Sequence, residues 1–322
     1  MEKYIKISEE YAEESFKKWG YYYPPLTWEE FYSWNEKTYK EHLLKDYKDN
    51  DILKTKNYLS LLSHEDIFGF YIAFKKNDYE ILNNVLFQTS RRENLDLLGG
   101  STQANIFYYG GLSAFACNDF EIIKHFFPQD TFSENYHYLD ISLNILKVLY
   151  YKKDNLQKEI INKTNIFLNK KLKNWEKYFV LYFLSILSRN HEDASKCLQE
   201  LCLAYQKFKL NISYEKLFKC FASNIHGLYR FARLIDIDFF HKIIRPKHPS
   251  FLENFEIWQE KNNYPRGKLF YVYPKEMNYM NNIFNAKLPF IEEKPPKYAY
   301  EKSLFIDYEK FAKDLTENIK KL

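Results

Sequence analysis

The stretch LDISLNILKVLYY, residues 139–151, decides the fold class. Leu143, Ile145, Leu146 and Leu149 recur in it at helical spacing, and neither glycine nor proline interrupts it. It lies within a longer run, residues 129–226, that is free of both residue types. A β-rich chain would need turn residues every ten or so positions. A helical chain whose loops are built on Asn and Asp would not. Leu198, Leu201, Cys202 and Tyr205 repeat the helical pattern, as do Leu217, Phe221, Ile225, Leu228 and Ala232. Helix starts are expected at Ser63, at Ser133-x-x-Tyr136 and at Asn174, where short side-chain acceptors or early acidic residues meet free backbone N–H groups.

Working outward, a weak internal repeat joins Ala73–Leu82 to Ala114–Ile123, with a third version at Ile186–Ala194. Each reads as helix, Asn-Asp turn, next helix. The Asn suits a left-handed helix-ending conformation, and Asp78 and Asp119 suit the cap of the helix that follows. This is the hairpin grammar of tetratricopeptide-like arrays, without their spacing or consensus. The expectation is an all-α fold, an irregular array of helical hairpins. Residues 1–60 form N-terminal helices docked on the array, held by the aromatic run Trp28, Phe31, Tyr32 and Trp34. Residues 61–245 form the hairpin core. Residues 246–322 form a Pro- and aromatic-rich C-terminal segment continuous with the same body. Within it, Gly267–Tyr273 reads as a short strand or extended piece, Pro289–Pro296 as a strap and Glu309–Leu322 as a last helix.

Composition narrows the function class. Hydrophobic residues make up 46% of the 322, enough for a sizeable core. The 29 Tyr and 28 Phe fit either a coding bias or an interface-rich surface. The net charge of +4 comes from interleaved signs, without the basic stripe of a nucleic-acid binder. Cys117, Cys197, Cys202 and Cys220 show no C-x-x-C spacing and read as buried, reduced thiols. The start Met1-Glu2-Lys3-Tyr4 lacks a signal-peptide stretch, and the longest apolar run, Tyr178–Leu187, is too short to span a bilayer. A cytoplasmic location with no membrane contact is therefore expected.

No phosphate-binding glycine motif and no metal-binding helix motif occurs, so neither a cofactor nor a metal site is expected. Gly99-Gly100 and Gly110-Gly111 read as loop and close-packing glycines. His64-Glu65-Asp66 reads as a helix start with its carboxylates on the dipole. His226 and Arg230 are four apart and share a helix face. With Asp236 they could serve acid–base work, but the preferred reading is structural, with His226 packed inside. Exposed partner-binding residues are sought near loops, at Arg91, Arg92, Tyr108 and Tyr109.

The segment 222–250 carries His226-Gly227-Leu228-Tyr229-Arg230-Phe231-Ala232-Arg233, then Ile235-Asp236-Ile237-Asp238, Pro246 and Pro249. It resembles the C-terminal region of the immunity-protein 49 family of bacterial polymorphic toxin systems. Residues 110–121, a Gly-Leu-Ser-Ala-Phe-Ala-Cys-Asn-Asp-Phe-Glu segment, resemble that family's helix-turn-helix core. The resemblance covers roughly residues 60–290. It implies an all-helical, non-enzymatic, cytoplasmic protein that binds a cognate toxin protein and blocks it. The alternative is a tetratricopeptide-like scaffold or regulator that binds a peptide.

Overall fold

At Asn77, Asn118, Lys152, Arg189 and Asn263 the backbone turns left-handed, with φ between 51° and 59°. In each case the next N–H reaches the carbonyl five residues back. Asp78 donates to Ala73 at 2.9 Å, Asp119 to Ala114 at 2.8 Å, Lys153 to Val148 at 3.0 Å, Asn190 to Ser185 at 2.9 Å and Tyr264 to Gln259 at 2.7 Å. This Schellman-type stop satisfies carbonyls that a helix end leaves free. It explains how residues 129–226 turn without glycine, although Lys152 and Arg189, not Asn, supply the left-handed residue there.

The computed structural model describes residues 1–43, 47, 50–59, 65–96, 102–209, 214–295 and 304–322. Helices α1 (Glu2–Trp19), α2 (Trp28–Leu43) and α3 (Asp51–Leu59) precede the hairpin α4 (Glu65–Lys76) and α5 (Tyr79–Asp96). Helices α6 (Gln103–Ile106) and α7 (Leu112–Ala116) join through a π-helical turn, Phe107–Gly111, into one buried rod, and α8 (Glu121–Phe126) follows. Next come two hairpins, α9 (Tyr138–Tyr151) with α10 (Gln157–Leu168), and α11 (Asn174–Leu187) with α12 (His191–Lys207). The remaining helices are α13 (Glu215–Phe218), α14 (Ser223–Ile235), α15 (Ile237–Lys242), α16 (Glu253–Lys261), α17 (Asn278–Asn285) and α18 (Tyr308–Ile319). Strands β1 (Glu293–Lys294) and β2 (Phe305–Ile306) form a two-residue antiparallel pair, Glu293 opposite Ile306. Among the described residues the protein is thus mostly helical. The start expected at Ser133 falls later, at Tyr138, because Ser133 Oγ bonds Asp140 at 2.5 Å from an extended lead-in. The starts expected at Ser63 and His64, and the pair Gly99-Gly100, lie outside the described residues.

Packing departs from a plain stack of hairpins. Helix α7 sits against both α5 and α14, and α14 returns to it from far along the chain. That crossing is close because position 227 is glycine: a Cβ there would lie 2.0 Å from the Leu112 carbonyl oxygen. The stripe from Leu217 to Ala232 is buried as expected, but it passes through two helices, α13 and α14.

The C-terminal segment is woven into the body. Residues 265–273 cross α5 as a non-helical run, where side-chain amides replace a strand partner. Gln88 Oε1 accepts from the N–H groups of Phe270 (2.8 Å) and Tyr271 (2.7 Å), and Gln88 Nε2 donates back to Tyr271 O at 3.1 Å. Asn84 accepts from Lys268 N, and Asn83 donates to Pro265 O. Helices α17 and α18 pack on α3. Pro296, the expected end of the later strap, is outside the described residues, but Ile291 N does bond His125 O at 2.9 Å. One continuous cluster of buried side chains runs from Tyr4 to Ile319. Cys117, Cys197 and Cys202 are buried in it as free thiols, whereas Cys220 is only half-buried. Burial pushes the thiols of Cys197 and Cys202 up to about 12, which leaves them inert near neutral pH.

Candidate functional site

Three of the four residues sought as exposed partner contacts are interior. Arg91 is 3% exposed, and Arg92 and Tyr108 are buried with it; Tyr109 alone, at 51%, faces solvent. Arg91 and Arg92 lie on helix α5, which is buried on almost every side between Leu82 and Leu95, and Tyr108 lies in the mostly buried π-helical turn. Arg91 forms a bidentate pair with the fully buried Asp119, at 2.7 and 3.2 Å, and also reaches Glu121 at 3.0 Å. Arg266 closes the ring onto Asp119 (2.8 Å) and Glu121 (2.6 Å). Burial alone would raise the Glu121 carboxyl, and the two guanidiniums outweigh it and hold that carboxyl below its ordinary range. Asp119 therefore anchors an ion network instead of capping α8, whereas Asp78 does cap α5, accepting from Ile81 N at 3.0 Å. In the third hairpin Asn190 is the cap, accepting from Asp193 N at 3.1 Å.

His226 and Arg230 are sealed, both 0% exposed, and Asp236 is engaged elsewhere. Their shared partner is Glu256 of α16, which the sequence reading did not single out. Leu252 N donates to His226 Nε2 at 3.1 Å, so the ring proton sits on Nδ1 and points at Glu256 Oε1, 2.5 Å away. Glu256 Oε2 lies 2.6 Å from Arg230. Burial lowers the His226 pKa, against the opposing pull of Glu256. Asp236 serves elsewhere, capping α15 through Phe239 N (3.0 Å) and pairing with Arg189 (3.2 Å). The signal that could have found Glu256 is the one-sided burial of its helix, beside Phe255 and Gln259.

The surface feature that remains is aromatic. Phe16, Trp19, Tyr21, Tyr22 and Trp34 are each between 37% and 52% exposed. They gather at the end of α1, the loop after it and α2. Phe16 stacks on Tyr22 at 4.6 Å and Trp19 on Tyr21 at 6.0 Å, while Trp34 touches both Tyr21 (6.0 Å) and Tyr23 (4.9 Å). Docking of the N-terminal helices consumes the opposite rings instead: Phe31 stacks on Phe68 at 4.5 Å, and Trp28 meets Phe68 edge-on at 5.0 Å. The aromatic run thus splits, Trp28 and Phe31 turning inward, Tyr32 and Trp34 outward.

This face leads inward. Tyr23 contacts Tyr214 at 5.4 Å, and both line a cavity of about 970 Å³. Tyr4, Tyr108, Tyr109, Tyr138 and Tyr205 contribute to its walls, and Asp66, Thr89 and Glu93 supply polar groups. Burial, with help from Asp66 and Asp96 and against Arg92, pushes the Glu93 carboxyl up to about 8. A second cavity, of about 920 Å³, holds Lys147. That ammonium donates to Gln103 Oε1 at 2.5 Å and to the Thr131 carbonyl, and burial pushes it down to about 8. Its donors are committed to the protein, so it ties the lead-in of α9 to α6. Among the described residues no His, Cys, Asp or Glu group is placed to hold a metal, and no helix is long and apolar enough to cross a membrane.

Comparison with protein-family models, curated proteins and solved structures finds no match. The resemblance to the immunity-protein 49 family therefore rests on the quoted residues alone.

Proposed function

We propose that this protein is an immunity protein that binds and neutralises a cognate bacterial toxin by protein–protein contact, with the aromatic face as its contact surface. The observation that carries the reading is the exposed set Phe16, Trp19, Tyr21, Tyr22 and Trp34. Rings of this size could lie inside the core, and here each keeps a third to a half of its surface exposed. Contiguous apolar patches on a soluble chain mark interaction sites, and Tyr and Trp dominate the energetics of such sites. The buried state of His226, Arg230 and Glu256 supports a structural duty for the most reactive cluster.

The test is co-expression. The product of the adjacent gene is induced in a sensitive bacterial host with and without this chain, and the pair is then purified together. Rescue of growth together with co-purification is the expected outcome. A harmless neighbour, or one that never associates, would remove the toxin reading and leave the peptide-binding scaffold.

A further inference from the structure

Behind the aromatic face, the cavity combines two features that do not serve the fold. Asp66, on the first turn of α4, is only 6% exposed, yet its Oδ1 has no hydrogen-bond partner, and no cation pairs with it among the described residues. Thr89 Oγ1, from α5 and 5% exposed, is likewise without a partner, and both residues line the cavity. Buried polar groups are nearly always hydrogen-bonded, and a buried carboxylate is costly unless paired. The positive end of α4 steadies Asp66 but does not neutralise it. Glu93 is different, since Arg92 lies 3.5 Å from it. The cations at the rim, Lys209 and His137, are exposed.

The walls bear on the choice of ligand. Tyr4, Tyr23, Tyr138, Tyr205 and Tyr214 present rings whose faces attract cations, and Phe70 and Phe221 add apolar surface for a stem. An unpaired carboxylate and a hydroxyl lining one aromatic-walled cavity fit a positive head on a hydrocarbon chain. An anion would meet Asp66, and a purely apolar guest would leave Asp66 and Thr89 unpaired.

We propose that this cavity binds one organic cation of guanidinium or alkylammonium type, with Asp66 as its counter-ion and Thr89 as a second hydrogen-bonding partner. The inference does not depend on the toxin reading, because the cation arrives either as a free small molecule or as an Arg or Lys side chain of whatever protein meets the aromatic face.

Isothermal titration of the full chain separates the outcomes. The probes are N-acetyl-arginine amide, its neutral isostere N-acetyl-citrulline amide, and a blocked Tyr-Arg-Tyr tripeptide. The expected result is saturable one-site binding of an arginine probe. The loss should be about tenfold or more for citrulline and for Asp66→Asn, the worth of one charge-assisted hydrogen bond. Binding of the blocked amino acid assigns the site to a small cation, and binding of the tripeptide alone assigns it to a side chain. Asp314→Asn, a surface charge change on α18, is expected to leave either unchanged. Asp66→Asn is near-isosteric, and its thermal melt separates loss of binding from loss of fold. Equal binding of arginine and citrulline, undiminished binding by folded Asp66→Asn, or no saturable binding of either arginine probe would overturn the proposal. None of these results touches the co-expression test.

Discussion

Glu256 shows how one carboxylate can hold two helices in register. It accepts the His226 proton, faces Arg230, and is itself 0% exposed, so α14 and α16 share a dry ionic contact. Removing its charge strands Arg230 in the interior. Glu256→Gln is expected to lower the unfolding free energy by about 3–5 kcal/mol in urea titration. A loss under about 1 kcal/mol would mean that Arg230 finds water. Glu93 gives a pH-dependent counterpart. A quarter of its side chain is exposed, and what it faces is the cavity. Its carboxyl holds a proton to about pH 8 when folded but only to about 4.5 when unfolded. The folded state therefore binds the extra proton in that window. Its stabilising contribution is complete below about pH 4.5 and fades as pH rises through 8. Glu93→Gln cannot ionise. It is expected to match the wild type near pH 5 and to exceed it by about 1–3 kcal/mol at pH 8. Melting curves at the two pH values read this directly, and parallel pH profiles would refute it.

Among the helices, the decisive contact is α7 against α14. Gly227 lets the two backbones meet, and a methyl group there would strike the Leu112 carbonyl. Gly227→Ala is expected to cost about 3 kcal/mol or more and to lower the melting temperature, with protection from hydrogen exchange lost first in α7 and α14. Unchanged protection there would place the crossing outside the stability-determining core. This contact also marks where sequence reading stops. The turns at Asn77 and Asn118 were legible because an Asn-Asp pair after a helical stretch is a local signal. The crossing was not, because glycine spacing tells that something comes close but not what. Residues 267–273 read as a short strand or extended piece, and they form no strand but a non-helical run with a bend at Phe270 and Tyr271. Their partner was illegible because it is a row of amides on a helix, Asn84 and Gln88, and not a strand. Arg91 and Arg92 read as surface because paired charges usually are. Only the three-dimensional arrival of Asp119 and Glu121 offsets the burial of Arg91, while Arg92 meets Glu93 at 3.5 Å.

For the molecule as a whole, the all-α class followed from period and punctuation, whereas the aromatic run reads as docking as one, without the inward turn of Trp28 and Phe31 set apart. The outward rings could not be separated from them, since a helix carrying aromatics on more than one side offers no rule for which side wins. The resulting picture is a helical body whose polar networks lock the interior, while one end keeps Trp and Tyr in water beside a tyrosine-walled cavity. The contact surface is therefore the claim on which the account rests. The most direct measurement compares rescue of toxin-expressing cells by the wild type and by the double variant Trp19→Ser, Tyr21→Ser. Both positions are about half exposed, so the fold should survive with an unchanged melting temperature. The account predicts that the variant loses rescue and co-purification, with binding weakened by about 2 kcal/mol or more for each ring that acts as an anchor. Full rescue by a folded variant would contradict it.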